Sequence, residues 1–270
     1  MIVFPKAKIN IGLNITEKRP DGFHNLETIF VPVNWSDALE FVVADEVQFN
    51  SSGLYISGDP ESNLVMKAYR LLQKSFSLPP LKIHLHKSIP FGAGLGGGSS
   101  DGAFMLSMLN KRFGLNLSET ELERYAAQLG SDCAFFIRNL PVFACGKGEV
   151  MEHIQPPING LFILLVKPPV EVSTAKAFQY IVPGKPVHSL KEMIQLPVQN
   201  WKDHVVNQFE SSVFKHYPEI GQLKDRMYEL GAVYASMSGS GSCVYGLFHE
   251  LPYVEKGLFP ASFLTFSQKF

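Results

Sequence analysis

The chain of 270 residues has few cysteines, no excess of either charge and no long apolar run. Its cysteines, Cys133, Cys145 and Cys243, lack the spacing of a zinc site and the density of a disulfide framework, which favours a reducing compartment. The 24 Lys and Arg residues balance 25 Asp and Glu residues, so composition gives no sign of nucleic-acid or membrane-surface binding. The apolar run from Leu161 to Val166 is too short to cross a bilayer.

The first residues, MIVFPKAKINIGL, contain a proline and two lysines where a signal peptide would have an uninterrupted apolar segment. Hydrophobic residues make up 46% and charged residues 18%, as in ordinary globular domains. We therefore expect a cytoplasmic protein whose partner is a small molecule, with neither nucleic acid nor a membrane as a partner. The sequence does not fix the oligomeric state.

Apolar residues recur along the chain at two spacings, one typical of strands and one typical of helices. Strands are predicted at Lys8 to Ile15, Asn25 to Asn34, Leu39 to Val43, Leu81 to His86, Leu161 to Val166, Ala232 to Ser236 and Cys243 to Phe248. Helices are predicted at Leu64 to Phe76, Gly102 to Phe113, after Ser118, and near Thr174 to Ile181, Trp201 to His216 and Glu219 to Leu230. Mixed elements in this order predict an α+β fold.

Local signals set several of these boundaries. Ser118, with Glu121 three residues later, forms the pattern of a helix capping box, and Gly114 suits a helix C-cap. The segment QPPING, residues 155 to 160, has the composition of a connector between structural units. We therefore predict two domains, residues 1–156 and 157–270.

A glycine-rich run, PFGAGLGGGSS, extends from Pro90 to Ser100. Glycines can take positive φ and let the backbone approach a ligand without a Cβ in the way. Ser99, Ser100 and Asp101 are expected to open the following helix, whose N–H groups and dipole favour an anion. The run therefore predicts a phosphate-binding loop.

Two common phosphate-binding motifs do not fit this run. Gly92, Gly94 and Gly97 match GxGxxG, but a dinucleotide fold needs an acidic residue after a second strand, and that region is the predicted Ser118 helix. A Walker A loop needs Lys and then Ser or Thr after its last glycine, and Gly98 is followed by Ser99. The remaining alternative is a glycine-rich surface turn without a ligand. It is disfavoured because ordering so many glycines on folding costs conformational entropy.

Three ordered segments resemble motifs of the GHMP family of small-molecule kinases. They are KAKINIG at Lys6 to Gly12, PFGAGLGGGSS at Pro90 to Ser100 and MSGSGSCVYG at Met237 to Gly246. The resemblance implies an N-terminal domain like ribosomal protein S5 domain 2, a ferredoxin-like C-terminal domain, and phosphoryl transfer from ATP with Mg²⁺. Because no glutamate is identifiable as a magnesium ligand, the ion is expected on the phosphates and on Ser99 or Ser100.

The family resemblance also implies roles for individual residues. Lys8 and Asp132 are implied as catalytic residues. The ATP-binding residues are expected to be Pro90, Phe91, Gly92, Ala93, Gly94, Leu95, Gly96, Gly97, Gly98, Ser99, Ser100, Asn63 and Lys87. The runs AKINIGLNI, DGFHNLET and LGSDCAFF further resemble members whose acceptor carries a cytidine diphosphate group. Such an acceptor would be bound by Asn10, Phe23, His24, Thr174 and Phe178, with the aromatic side chains sandwiching the base.

Each of these residues also has an ordinary structural interpretation. Asp132 could cap the helix that holds Ala134 to Ile137, and Lys8 alone would be a surface lysine. Aromatic residues more often lie in the core. Two functional alternatives stay open: a GHMP kinase for another alcohol of the homoserine or mevalonate type, and a non-catalytic nucleotide-binding module.

Overall fold

The computed structural model describes residues 1–179, 181–253 and 257–270. The strands are β1 (Ile2–Val3), β2 (Lys6–Lys18), β3 (His24–Ser36), β4 (Ala38–Val43), β5 (Gln48–Gly53), β6 (Leu81–Lys87), β7 (Val142–Gly146), β8 (Val150–His153), β9 (Phe162–Lys167), β10 (Tyr234–Met237), β11 (Val244–Phe248) and β12 (Leu264–Lys269). The α-helices are α1 (Leu64–Gln73), α2 (Gly97–Phe113), α3 (Glu119–Leu129), α4 (Phe135–Arg138), α5 (Thr174–Gln179), α6 (Leu190–Met193), α7 (Trp201–His204), α8 (Glu210–His216) and α9 (Pro218–Glu229). Short 3-10 turns cover Pro60–Ser62 and Val198–Asn200.

The chain forms two compact units, each made of several segments. Unit 1 contains Met1–Lys8, Pro32–Pro90 and Gly96–Leu140, and unit 2 contains Ile9–Val31, Phe91–Leu95 and Pro141–Phe270. The predicted boundary between residues 156 and 157 divides the chain into two continuous domains, whereas each unit is made of several segments. The two-domain boundary therefore stays a prediction.

Unit 1 combines one sheet with helices. The sheet has the order β1-β4-β6-β5, in which β5 runs parallel to β6 and the other pairs are antiparallel. Strand β6 alternates buried and more exposed residues, as a strand with one covered face does. Helix α1 buries Val65, Met66, Ala68, Tyr69 and Leu72, and it packs on α2. This places the start of α2, where the glycine run ends, on a well-packed support.

Unit 2 contains the sheet β10-β11-β9-β12, which is antiparallel throughout, and most of the sheet β2-β3-β7-β8. Strands β10 and β11 are buried along their whole length, and helix α9 packs on both of them. The residue pairs Val244 with Val166 and Met237 with Val244 fix the register at the end where the third motif lies. Sheet geometry thus holds both ends of the segment 238–243.

Most predicted elements lie where the periodicity places them, and the predicted caps are confirmed. Ser118 Oγ accepts from the Glu121 N–H while the Glu121 carboxylate accepts from the Ser118 N–H, which completes the capping box of α3. Gly114 closes α2 in the left-handed conformation with φ 60°. The helix predicted near Thr174 ends at Gln179, and the next predicted residue, 180, lies outside the described residues.

The single helix predicted from Trp201 to His216 is wrong. The structure has α7 and α8 there, separated by a segment that pairs with Leu13 of β2. Leu13 N–H donates to the Val206 carbonyl, and Gln208 N–H donates to the Leu13 carbonyl. Because these backbone groups bond to β2, they cannot take part in a helix.

Several elements carry too weak a pattern to be predicted. Strands β5, β7, β8 and β12 and helix α6 were missed, and β5 is exposed at five of its six residues. Helix α2 also begins at Gly97 rather than at Gly102. In the described parts of the chain, none of the helices has the length and apolarity needed to cross a membrane.

We predict that Ser118→Ala lowers the free energy of unfolding by about 1 kcal/mol, because the first turn of α3 loses its side-chain acceptor. The measurement is the urea denaturation midpoint. Ser118→Thr keeps a hydroxyl and should unfold close to the unsubstituted protein. An alanine variant as stable as the threonine variant would contradict a stabilising cap.

Candidate functional site

The start of helix α2 is built to receive an anion. Gly96 precedes the helix in the left-handed conformation, with φ 68°, and the first helical bond runs from Ser100 N–H to the Gly96 carbonyl at 2.9 Å. Helical geometry therefore leaves the N–H groups of Gly97, Gly98 and Ser99 outside the helical ladder. Together with the dipole of this 17-residue helix, they form an anion site.

Lys8 and Asp132 come together beside Gly96 in unit 1. Lys8 Nζ lies 3.6 Å from Asp132 Oδ2. A Cβ built on Gly96 would lie 3.3 Å from Lys8 Cε and 2.8 Å from the Phe136 ring, so only glycine fits the space between them. The lysine stem therefore runs directly along the residue that begins the anion site.

Lys8 and Asp132 differ in their access to water. The Lys8 side chain is 4% exposed and the Asp132 side chain 36% exposed. Burial lowers the pKa of Lys8, and the attraction and hydrogen bond of Asp132 oppose that shift. Asp132 is not the cap of the next helix, since the N-cap of α4 is Ala134 and makes no side-chain cap bond. The carboxylate is thus held by Lys8 while it keeps access to solvent.

Cys133 follows Asp132 but is an ordinary packed side chain. It is fully buried, and burial raises the pKa of its thiol to about 11. A thiol of that pKa remains protonated near neutral pH, so it is a poor nucleophile. Cys243 is likewise buried, and burial raises the pKa of that thiol to about 12.

Lys87 forms a buried ionic cluster beneath the start of α2. Its ammonium donates to Asp37 Oδ2 and, at 2.9 Å, to Asp101 Oδ2. A Cβ on Gly97 would lie 3.2 Å from Lys87 Nζ. The second oxygen of Asp37 accepts from the N–H groups of Ser88 and Ile89, at 2.6 and 2.8 Å. The cluster therefore fixes the segment that leads into the glycine run.

Two buried polar atoms near this cluster have no hydrogen-bond partner in the described chain: Ser100 Oγ and Asp101 Oδ1. Burial raises the pKa of Asp101 well above its ordinary value, and Lys87 opposes that shift. The predicted ATP residue Asn63 caps helix α1 by accepting from the Val65 N–H at 2.9 Å. A role for Asn63 and Lys87 at the adenosine stays a prediction.

In unit 2 the middle of the glycine run lies against the third motif. The N–H groups of Ser242 and Cys243 donate to the carbonyls of Gly92 and Ala93, and Ser238 Oγ donates to the Gly94 carbonyl at 2.9 Å. A Cβ on Gly94 would lie 1.9 Å from the Ser238 carbonyl oxygen. Glycine at 94 is therefore required by a backbone-to-backbone contact as well as by its φ of 72°.

Asn10 has its side-chain amide oriented by Thr28. Thr28 Oγ1 donates its only hydrogen to the Gly12 carbonyl at 2.7 Å, so at its 2.9 Å contact with Asn10 it can only accept. Asn10 Nδ2 must therefore point to Thr28, and Asn10 Oδ1 points toward Gly239, where a Cβ would lie 3.3 Å away. Both side chains are buried, which makes this orientation costly to change.

The predicted acceptor residues Phe23, His24 and Phe178 gather in unit 2. His24 and Phe178 stack with ring centroids 4.8 Å apart and an interplanar angle of 19°. A base inserted between two rings needs about twice the usual contact distance of ~3.5 Å, so these two rings as they stand do not admit one. Phe23 is 56% exposed and presents its ring to solvent. Burial and the nearby Lys18 lower the pKa of His24, so the imidazole is neutral near pH 7.

Thr174, the remaining predicted acceptor residue, shares a hydrogen bond of 2.9 Å with Ser240 of the third motif. The loop residues Ala93, Leu95 and Pro90 are buried, while Phe91 is 40% exposed. The buried side chains of Pro90, Ala93 and Leu95 therefore hold this part of the glycine run against the protein interior.

Sequence reasoning missed three supporting residues: Thr28, Asp37 and Asn207. Asn207 Nδ2 donates to the carbonyls of Met237 and Gly239, at 2.7 and 2.8 Å, and so shapes the third motif. Thr28 lies inside the run DGFHNLET, so its position within a motif could have pointed to a supporting role. The sequence gives no such indication for Asp37 and Asn207, because their partners Lys87 and Met237 are 50 and 30 residues away.

Two family descriptions match the chain. "GHMP kinases N terminal domain" matches residues 63–146, and "GHMP kinases C terminal" matches residues 187–257. The first range contains the glycine run and Asp132, and the second contains the third motif.

Relatives of high identity extend over nearly the full chain. A 4-diphosphocytidyl-2-C-methyl-D-erythritol kinase of Bacteroides thetaiotaomicron is 59% identical over 252 residues, covering 92% of this chain and 92% of the relative. A protein of the same name from Parabacteroides distasonis is 51% identical over 265 residues, covering 98% of each.

Solved structures agree in fold. The crystal structure of a 4-(cytidine 5'-diphospho)-2C-methyl-D-erythritol kinase matches with a TM-score of 0.79 at 29% identity, covering 92% of this chain and 90% of the other. Homoserine kinase from Cytophaga hutchinsonii matches with a TM-score of 0.61 at 18% identity, covering 90% and 85%, and this likeness shows the fold alone. The predicted α+β GHMP kinase fold is confirmed, and the chain belongs to the GHMP kinase family.

Proposed function

We propose that the chain transfers the γ-phosphoryl group of ATP to the 2-hydroxyl of 4-diphosphocytidyl-2-C-methyl-D-erythritol, a reaction of non-mevalonate isoprenoid biosynthesis. The observation that carries the phosphoryl transfer is the Lys8 and Asp132 pair beside Gly96, at the start of the anion-binding helix. The choice of acceptor is supported by the relatives that bear this enzyme's name. A cytoplasmic location stays a prediction of the sequence.

The chemistry divides between positioning and charge stabilisation. The N–H groups at the start of α2 bind phosphate oxygens of ATP. Asp132 accepts a hydrogen bond from the acceptor hydroxyl, orients its oxygen toward the γ-phosphorus and receives the proton. Lys8, whose Nζ lies 3.6 Å from Asp132 Oδ2, holds this carboxylate in place and offsets negative charge on the transferring phosphoryl group.

Mg²⁺ would accompany the ATP. No cluster of His, Cys, Asp or Glu in residues 1–179, 181–253 and 257–270 has the grouping of a metal site. Mg²⁺ commonly binds to substrate phosphates with few protein ligands. The start of α2 therefore fits such an ion without a cluster of acidic residues. The buried hydroxyl of Ser100, which lacks a hydrogen-bond partner in this part of the chain, and the neighbouring Ser99 would supply protein ligands. The ion would neutralise phosphate charge.

The acceptor would be held by residues of unit 2. The cytosine ring stacks on the exposed face of Phe23, and the neutral His24 can hydrogen-bond the base edge. Asn10 Oδ1, oriented by Thr28, accepts a hydrogen bond from an acceptor hydroxyl. These contacts with the base would favour an acceptor that carries cytidine over an alcohol that lacks it.

The direct test is ADP release with three acceptors: the cytidine diphosphate adduct, homoserine and mevalonate. We expect turnover with the adduct alone. Faster turnover of homoserine or mevalonate would assign the chain to another GHMP kinase activity. No turnover with any of the three, combined with retained ATP binding, would favour a non-catalytic module.

We predict that Asp132→Asn lowers kcat by roughly 10²- to 10⁴-fold, because the acceptor hydroxyl loses its proton acceptor. ATP affinity should stay within about twofold, since the anion site at α2 is untouched. Single-turnover kinetics and nucleotide titration measure the two effects. The matched control is Asp45→Asn, at an exposed position of the same unit, which should leave kcat unchanged. An unchanged kcat in Asp132→Asn would remove this residue from the chemistry.

Phe23→Ala should weaken binding of the acceptor by roughly five- to 150-fold while leaving the KM of ATP unchanged. A base stacked on an aromatic side chain contributes about 1–3 kcal/mol, and only one substrate loses that stack. Steady-state KM values for both substrates measure the difference. Phe23→Tyr keeps the ring and should bind the acceptor normally. Equal weakening of ATP and acceptor would argue against stacking on Phe23.

Thr28→Val should impair the acceptor step through Asn10, because the buried amide loses the partner that fixes its orientation. In a double-mutant cycle with Asn10→Ala on kcat/KM of the acceptor, we expect a coupling of roughly 0.5–3 kcal/mol. Thr28→Ser keeps the hydroxyl and should restore most of the activity. Thermal melting above the assay temperature is the fold control, and strict additivity would show that Thr28 does not act through Asn10.

A further inference from the structure

The sheet of unit 1 carries two histidines side by side on strand β6. His84 and His86 are two residues apart, so their side chains stand on the same face of the strand, which is its more exposed face. The parallel register places Ser52 of β5 opposite His86, and the antiparallel register places Glu40 of β4 opposite His84. The neighbouring strands therefore supply a hydroxyl and a carboxylate to the two imidazoles.

Both imidazoles direct a ring nitrogen at the same atom. Ser52 Oγ lies 3.0 Å from His84 Nε2 and 2.9 Å from His86 Nδ1. The ring of His86 is also confined, because a Cβ built on Gly53 would lie 3.1 Å from its Cε1 atom. Two nitrogen atoms thus converge on one point at the surface of the sheet.

The single hydrogen of the Ser52 hydroxyl decides how the two neutral rings are protonated. The hydroxyl can donate to one ring nitrogen, so it must accept from the other. Glu40 Oε1, 3.6 Å from His84 Nδ1, favours a hydrogen on that nitrogen and leaves Nε2 as the acceptor. His84 Nε2 therefore has a lone pair facing the point of convergence. His86 Nδ1 has one there as soon as its hydrogen is carried on Nε2 instead.

Two converging imidazoles suit a divalent metal ion that prefers nitrogen ligands. Zn²⁺, Ni²⁺ and Cu²⁺ bind imidazole, whereas Mg²⁺ prefers oxygen. Metal–imidazole bonds are about 2.0–2.1 Å long, so each nitrogen would move by about 1 Å toward the present position of the hydroxyl. Ser52 is exposed and can turn to water, and the His84 side chain is 42% exposed, which leaves a path for the ion.

This pair differs from a permanent metal site. The part of the chain that the structure describes has no group of three or more His, Cys, Asp or Glu side chains placed for a metal ion. Structural zinc sites use four protein ligands. With two imidazoles, water completes the coordination, and the ion can exchange with solvent.

We propose that His84 and His86 form an exchangeable site for Zn²⁺, Ni²⁺ or Cu²⁺ on the exposed face of the unit 1 sheet, with Glu40 orienting the His84 ring. The inference does not depend on the proposed function, because none of these residues has a role at the nucleotide or at the acceptor. It also concerns an ion other than the Mg²⁺ that would accompany ATP.

The experiment titrates Zn²⁺ into the full chain, prepared without a histidine tag, and measures binding by calorimetry with Mg²⁺ present throughout. The variants are His84→Asn, His86→Asn and Glu40→Gln. His153→Asn is the matched control, because it removes another exposed strand histidine that lies outside the pair. Thermal melting verifies that each variant is folded.

We expect the unsubstituted protein to bind Zn²⁺ at about pH 7.5 and to bind it much more weakly at about pH 5.5, because a protonated imidazole has no free lone pair. A residue that orients a metal ligand contributes about 10- to 100-fold to affinity, so losing either histidine, a direct ligand, should cost more than about tenfold. Glu40→Gln should weaken binding by up to about tenfold, since this carboxylate is exposed. His153→Asn should bind Zn²⁺ normally.

Unchanged Zn²⁺ affinity in His84→Asn or in His86→Asn would overturn the proposal. An equal loss in His153→Asn would overturn it as well, because the ion would then bind histidines regardless of their placement. Displacement of Zn²⁺ by an equal concentration of Mg²⁺ would indicate an oxygen site and would count against the pair. Absence of Zn²⁺ binding in the unsubstituted protein would reject the site directly, without bearing on phosphoryl transfer.

Discussion

The site depends on a backbone-to-backbone contact that only glycine permits. In unit 2 the carbonyl of Ser238 occupies the place where a side chain at position 94 would begin. Because of that contact, the loop carbonyls of residues 92 to 94 bond to residues 238, 242 and 243. Those bonds turn a glycine-rich stretch, which alone would be conformationally free, into a fixed structure. Asn10 joins the same assembly through its N–H bond of 3.2 Å to Ser238 Oγ.

Buried charge in unit 1 has two different arrangements, and they suit two different tasks. Lys87 is shared by two carboxylates, both almost fully buried, and one of them also holds backbone N–H groups before the glycine run. A cation enclosed in that way shapes the backbone. Lys8 instead faces one carboxylate at 3.6 Å, and that carboxylate is 36% exposed. A carboxylate with a cation on one side and solvent on the other can accept a hydrogen bond from a substrate hydroxyl on its solvent side while the cation stays in place.

The sequence predicts the parts of the fold that depend on local patterns. Helix α3 follows from Ser118, Glu121 and an apolar stripe, and the C-cap at Gly114 follows from one residue. Prediction from sequence fails where a backbone segment bonds to a distant strand. At Val206 and Gln208 the backbone bonds to Leu13, and the pattern of apolar residues contains no sign of that pairing. It also fails at β5, whose residues are too exposed to show alternation.

The candidate site divides in the same way. Lys8, Asp132 and the glycine run are recognised because they lie in contiguous motifs, and the structure brings Lys8, Asp132 and Gly96 together. Asp37 and Asn207 act from 30 to 50 residues away, so their hydrogen bonds become visible only in three dimensions. For Thr28 the hydrogen-bond geometry supplies the missing information, because one shared hydroxyl hydrogen decides which way the Asn10 amide points.

In the proposed function, choice of acceptor is a separate problem from phosphoryl transfer, and different residues are assigned to it. A carboxylate that orients a hydroxyl and a lysine that stabilises phosphate suit almost any alcohol, so Lys8 and Asp132 cannot select the substrate. Selection requires groups matched to the non-reacting part of the molecule. Phe23, proposed to stack on the base, stands at the turn before β3, and the pairing of β3 with β7 brings the turn after β7 beside it. Because turn residues carry little of the core, such positions can change the acceptor preference without disturbing the fold.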